Sequence, residues 1–273
     1  MKTGGIDGGW AGVWKRGVEN WNQHRAGEKG ALGSREFWDG FDLWDRYETH
    51  IRYPGRLLDA VRERVDAEAT VLDIGAGTGS LALPLAAAGK SVTALEPSAA
   101  QVERLRRKMN GEGIENITVV CQRWEDAEIE TIGRHDVVIA SHSLFMMDLP
   151  AALRKMLDVA ARQVFLVHLG SHDLQRPIRE IRGADVAFPN LRVLLKVLEE
   201  MGLETRARVF RRRFELPWEL QAGMLQYAQG FTPAQTETLR TKLMAASRLH
   251  FQRGAEWVRR ECRDVLVSLD PRR

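Results

Sequence analysis

Cysteine is scarce: Cys121 and Cys262 are the only two in 273 residues. Two cysteines make neither a disulfide framework nor a zinc site, so a reduced, cytoplasmic chain is the expected setting. No apolar run approaches the roughly 18 residues of a membrane span. The start, MKTGGIDGGW, lacks a basic region followed by an apolar stretch, so no secretory signal is expected. Net charge is small as well. Forty Lys and Arg against 37 Asp and Glu leave +3, which gives no reason to expect nucleic acid or a membrane as partner. No His, Asp or Glu spacing suggests a metal, and there is no internal repeat.

What remains is ordinary globular material, 44% hydrophobic and 28% charged. At about 150 residues per domain, this length suits one domain with additions as well as two domains. Residues 1–35 are glycine-rich, with Trp10, Trp14 and Trp21, and read as a tail with a short helix. Residues 36–65 read as helix, with a break at Tyr53-Pro54-Gly55. Strands are expected at 69–74, 91–95, 117–121, 136–141 and 164–169. Helices are expected at 80–88, 99–109, 150–160 and 191–201. Gly89 and Gly202 stop two of these helices, and Ser98 caps another. This alternation predicts a parallel sheet covered on both faces. An arginine-rich strand at 204–216, two helices within 217–253 and a last strand at 264–269 complete the chain. The expected division is a helical cover at 1–62, a core at 63–216, a helical lid at 217–253 and the last core strand at 254–273.

The most informative stretch is Val71-Leu72-Asp73-Ile74-Gly75-Ala76-Gly77-Thr78-Gly79-Ser80. A buried strand runs into a glycine-rich turn and then a helix. Glycines permit the sharp turn and let a ligand approach with no Cβ in the way. Glu96 ends the second strand, where an acid can accept hydrogen bonds from ribose hydroxyls. A dinucleotide fingerprint needs Gly-x-Gly-x-x-Gly against a pyrophosphate. Here the spacing is Gly-x-Gly-x-Gly, and Asp73 would repel a pyrophosphate. The site suits a ligand carrying an ammonium or sulfonium group instead.

Residues 71–80 resemble motif I of the class I S-adenosylmethionine-dependent methyltransferases, and Glu96-Pro97-Ser98 resembles their second motif. The region from about 40 to 170 is similar to the small-molecule branch of that superfamily. The resemblance implies a Rossmann-like α/β fold. Its seven-stranded, mostly parallel sheet would have an antiparallel last strand, a helical cover before it and a helical insertion ahead of the last strand. It implies S-adenosyl-L-methionine as cofactor. Asp73, Gly75, Ala76, Gly77 and Gly79 would form the turn, and Glu96, Pro97 and Ser98 the ribose end. Arg123, Trp124 and Glu125 would lie by the adenine, although Arg123 stands where an Asp is common. Trp124 either stacks on the ring or packs on the domain. Tyr47 and Tyr53 of the cover would reach the methionine end.

Ser141-His142-Ser143-Leu144-Phe145 resembles the loop beside the transferred methyl in small-molecule O-, N- and C-methyltransferases. It is not the Asn/Asp-Pro-Pro-Tyr motif, and no Pro-Cys pair occurs. His142 is the catalytic candidate, because imidazole can take a proton near neutrality; a cofactor contact or a loop-shaping role is the alternative. His168 and His172 flank the fifth strand. Arg206, Arg208, Arg211, Arg212 and Arg213 either bind an anion or RNA or form a solvated, ion-paired face. Trp218, Met224, Tyr227 and Phe231 either line an acceptor pocket or pack within the lid. The expected function is methyl transfer to a small organic acceptor. An RNA or protein acceptor is one alternative, and a non-catalytic cofactor-binding subunit is another. A nicotinamide-dependent oxidoreductase fits the glycine spacing least. A homodimer stays open.

Overall fold

The computed structural model describes residues 8–26, 34–41, 43–66, 68–182 and 189–271. The glycine-rich stretches at 1–7 and 27–33, and the side chain of His24, lie outside the described residues. Four helices come first: α1 (Gly9–Ala26), α2 (Ser34–Asp39), α3 (Trp44–Ile51) and α4 (Arg56–Arg62). The alternating core follows as β1 (Thr70–Ile74), α5 (Ala82–Ala87), β2 (Ser91–Leu95), α6 (Ala99–Glu112), β3 (Ile117–Val120), α7 (Ile129–Ile132), β4 (His135–Ser141), α8 (Leu149–Val159) and β5 (Ala160–His172). Then come α9 (Gln175–Arg182), α10 (Leu191–Glu200), β6 (Thr205–Pro217), α11 (Trp218–Gln229), α12 (Pro233–Ala245), β7 (Leu249–Gln252) and β8 (Ala255–Leu269).

The sheet order is β3-β2-β1-β4-β5-β8-β6, with β7 paired to β8. The first five strands of that path are parallel, and β8 runs antiparallel to β5 and β6. The expected seven-strand path is therefore present, and short β7 is an eighth strand. The reason is local. Arg253 and Gly254 both have positive φ, 52° and 76°, which is the twist a two-residue hairpin turn requires. The hairpin turns the end of the expected helical stretch 217–253 into a strand.

The last strand is also longer than 264–269. From Val258 to Asp264 its inward positions include two charged residues, Arg260 and Asp264, both buried. Charge at inward positions hides the alternation by which a half-buried strand is recognised. Helix ends follow their capping chemistry. The Ser98 hydroxyl accepts from the Gln101 amide at 3.2 Å to start α6, and Asp148 accepts from Ala151 at 3.0 Å to start α8.

Each face of the sheet has its own core. One face packs α1, α8 and α10 over Leu72, Val138 and Leu166. The other packs α4, α5 and α6 over Val71, Ile139 and Val167. A third cluster joins Ile51 of α3 to α11, α12 and the outer ends of β6 and β8. The early cover and the late helices also meet directly. Phe41 and Tyr227 stack with ring centroids 4.6 Å apart and planes 3° from parallel, and the Tyr227 hydroxyl donates to the Phe37 carbonyl at 2.8 Å. Among the described residues no helix is long and apolar enough to cross a membrane.

Candidate functional site

Parallel strands end together at one edge of the sheet, and there a cavity of 1040 Å³ opens. That volume is at the upper end for a single ligand site. The turn after β1 forms one wall. Gly75 has φ +71°, and a Cβ on it would lie 2.3 Å from Ser143 Cβ, so only glycine lets the loop after β4 close over the strand end. The Ser143 hydroxyl seals that contact by donating to the Ile74 carbonyl at 2.5 Å. Gly77, with φ +56°, would meet nothing within 4 Å, so this part of the turn is open to a ligand.

Two carboxylates meet at the turn. Asp73 is buried at the end of β1. Burial, and then the charge of Glu96, push its pKa up to about 7. Glu96 accepts from the Gly77 amide at 2.9 Å and from the Ser98 amide at 2.8 Å. Its pKa is also raised, burial outweighing those two hydrogen bonds. Two buried acids beside an open glycine turn are a poor place for diphosphate and a fitting one for a cationic ligand with hydroxyls.

The cover is tied to this wall by acids that the sequence did not single out. Glu48 of α3 accepts from the Thr78 and Ser80 hydroxyls at 2.7 and 2.6 Å and pairs with Lys108 at 2.6 Å. Asp39 at the end of α2 accepts from the Ser98 hydroxyl at 2.6 Å. On the other side, the Trp14 indole donates to the Met146 carbonyl at 2.9 Å, so α1 buttresses the loop after β4.

That loop carries His142, whose φ is +53° and whose amide donates to the Val167 carbonyl at 2.9 Å. The ring packs edge-on to Tyr53, and Nε2 lies 3.3 Å from Asp264 Oδ1. The contact is close but not aligned as a hydrogen bond. Burial raises the Asp264 pKa, but His142 and Arg212 outweigh it and hold it below the usual carboxylate range. Arg212 binds Asp264 through Nε and Nη2 and donates from Nη1 to the Ile51 carbonyl at 2.6 Å. The Tyr53 hydroxyl is hydrogen-bonded to the Ser141 hydroxyl.

Of the expected site residues, Tyr47, Tyr53, Asp73, Gly75, Ala76, Gly77, Glu96, Pro97, Arg123, Trp124, Glu125, Ser141 and His142 all line the cavity. Gly79 and Ser98 do not. A Cβ on Gly79 would strike Leu105 and Leu83, so this glycine serves helix packing. Ser98 is the buried cap of α6. The Trp124 ring is 2% exposed, donates to the Ala152 carbonyl at 3.1 Å and has the Lys155 ammonium 4.5 Å from its centroid. It is a packing element more than a free stacking surface. His168 is bound to two backbone carbonyls, whereas His172 faces the cavity. Met224 and Leu225 of α11 line the cavity too, opposite Trp38 and Trp44 of the cover.

Such a strand order is that of a Rossmann-like fold shared with solved methyltransferase structures. Residues 71–164 match the family described as "Methyltransferase domain". An uncharacterized protein of Haemophilus influenzae is 32% identical over 154 residues, 56% of each chain. A ribosomal RNA small subunit methyltransferase G of Mycolicibacterium gilvum is 35% identical over 116 residues, which is 41% of this chain and 46% of that one. The chain thus spans about half the length of these curated relatives. Among solved structures, the magnesium protoporphyrin IX methyltransferase of Synechocystis, with bound SAH, aligns with a TM-score of 0.52 at 18% identity. That alignment covers 85% of this chain and 96% of the other. It supports the fold.

Proposed function

We propose that the protein transfers the methyl group of S-adenosylmethionine to a small organic acceptor. The observation that carries this reading is the pair of buried carboxylates, Asp73 and Glu96, converging on the open glycine turn at Gly77. Asp73 would face the charged methionine end. Glu96 holds two backbone amides and has further lone pairs for ribose hydroxyls. Arg123, Trp124 and Glu125 would border the adenine, with Trp124 as a packed support. Bound there, S-adenosylmethionine supplies a methyl group on positively charged sulfur, open to in-line displacement.

The chain's own contribution is positioning and water exclusion. Gly75 and Ser143 fix the loop after β4 against the turn. Burial holds the Tyr53 pKa well above that of an ordinary phenol, so its hydroxyl stays protonated beside Ser141 at neutral pH. With Nε2 turned to Asp264, the Nδ1 atom of His142 is left to take a proton from the acceptor. The cover and α11 roof the cavity, and Trp44, Phe214, Met224 and Leu225 give it an apolar wall suited to an organic body.

An RNA acceptor is a second reading, favoured by the similarity to the ribosomal RNA enzyme. Against it, exposed Arg211 and Arg213 are both paired with Glu261, which blunts the basic face. Turnover with labelled S-adenosylmethionine separates the two. Salt-insensitive methylation of small acceptors supports the first reading; methylation confined to RNA, falling steeply with salt, supports the second.

A further inference from the structure

Strands β6 and β8 point two arginines in opposite senses from their neighbours. Arg212 pairs with Cys262 and Phe214 with Arg260. Alternation puts Arg212, Phe214, Arg260 and Cys262 on one face, and all four line the cavity. Arg211 and Arg213 turn outward to Glu261. Two guanidinium groups are thus brought inside while the surrounding arginines stay out.

Both are held rigidly. Arg212 is fixed by Asp264 and the Ile51 carbonyl. Arg260 is fixed by Asp173 at 2.9 Å and by Gln221. A guanidinium has five N–H donors, and Arg260 Nη2 donates to none of the described residues. Nearby, His172 Nδ1 is buried without a partner. Burial, and then Arg260, depress the His172 pKa to about 4, so the ring is neutral at pH 7. The Tyr47 hydroxyl lies within the field of the same arginine and is kept protonated by burial. Asp173 is shared between Arg260 and the more exposed Arg248, so its charge is divided between two guanidinium groups.

The position is set apart from Asp73 and the glycine turn. Strand β8 is three strands from β1, which is about 14 Å across the sheet. The arginines lie beyond Ser141 and His142, on the side away from Asp73.

We propose that the methyl acceptor bears a carboxylate, received by Arg260 with Arg212 behind it, while its apolar body lies against Phe214, Trp44 and Leu225. The guanidinium edge of Arg260 left without a donor contact matches the planar carboxylate. This rests on the reading of the cavity as the joint site of S-adenosylmethionine and acceptor.

The test is calorimetry on the full chain, first with S-adenosylhomocysteine and then, in its presence, with a panel of aryl and alkyl carboxylates, each against its primary amide. Phenyl phosphate and inorganic phosphate complete the set. At least one acid should bind about tenfold or more tightly than its amide, and better than phenyl phosphate. Arg260→Gln should abolish that preference and leave S-adenosylhomocysteine affinity within about twofold. Equal binding of acids and amides, or no binding by either, would overturn the proposal, and so would preference for the phosphate ester. Loss of S-adenosylhomocysteine affinity in Arg260→Gln would overturn it as well, by assigning the guanidinium to the cofactor. The acid–amide comparison on the wild type needs no variant, so misfolding of Arg260→Gln leaves it decisive. Failure of the wild type to bind S-adenosylhomocysteine would instead refute the methyltransferase reading. The acid–amide comparison on the unliganded chain then still decides whether the arginines form a carboxylate site.

Discussion

His142 and Asp264 join the two halves of the sheet: Nε2 of the loop histidine lies 3.3 Å from a carboxylate on the antiparallel last strand. Asp264 is fully buried and is bound on its other side by Arg212. The parallel half carries the glycine turn with Asp73 and Glu96, and the antiparallel half carries Arg212 and Arg260. This contact is where they meet.

Asp264→Asn should therefore destabilise the fold by about 3–5 kcal/mol, because it leaves the Arg212 charge buried without its partner. Chemical denaturation measures this. The pH sign follows from the depressed folded-state pKa. The stabilisation is present above the ordinary carboxylate pKa and is lost as pH falls through the lower folded value. Wild type should lose stability on acidification below about pH 4, and Asp264→Asn should lose less over the same interval.

His142→Gln should keep S-adenosylhomocysteine affinity within about threefold and lower turnover of an accepted substrate by about 100-fold or more. Equal kinetics for variant and wild type would reduce His142 to a loop-shaping residue.

Asp73 predicts a pH-dependent affinity. Its pKa of about 7 in the free protein means that a cationic ligand must bind with loss of a proton at lower pH. Affinity for S-adenosylmethionine should rise about tenfold between pH 6 and 8, and Asp73→Asn should flatten the profile. The free fold should respond in the opposite sense. A carboxyl with a raised folded-state pKa costs stability as pH climbs from about 4 to 7, and the cost is constant above.

The roof predicts a graded response at Tyr227. Tyr227→Phe keeps the stack on Phe41 and loses the bond to the Phe37 carbonyl, about 1 kcal/mol. Tyr227→Ala loses both and should cost about 3 kcal/mol or more. Stopped-flow release of S-adenosylhomocysteine should be faster in Tyr227→Ala than in Tyr227→Phe.

The parallel half was legible because its strands are short apolar runs punctuated by glycines and a serine cap. Asp73, Gly75, Gly77, Glu96 and His142, all singled out in the sequence, line one cavity. The antiparallel half was not. Arg212 sits between Arg211 and Arg213, and nothing in a run of arginines shows which one turns inward. Arg260 and Asp264 occupy inward positions that would otherwise be apolar, so β8 looked half its length. Asp173, Glu48 and Asp39 act across long sequence separations that no local pattern records. Of this run, Arg211 and Arg213 form an exposed, ion-paired face with Glu261, and Arg212 turns inward to Asp264.

Asp73 and Glu96 are proposed to hold a methyl-donor cofactor at the glycine turn. Titration calorimetry with S-adenosylhomocysteine on wild type, Asp73→Ala and Glu96→Ala tests it most directly. Binding to the wild type, weakened by about tenfold or more in each variant, is the predicted result. Wild-type affinity in both variants would contradict it.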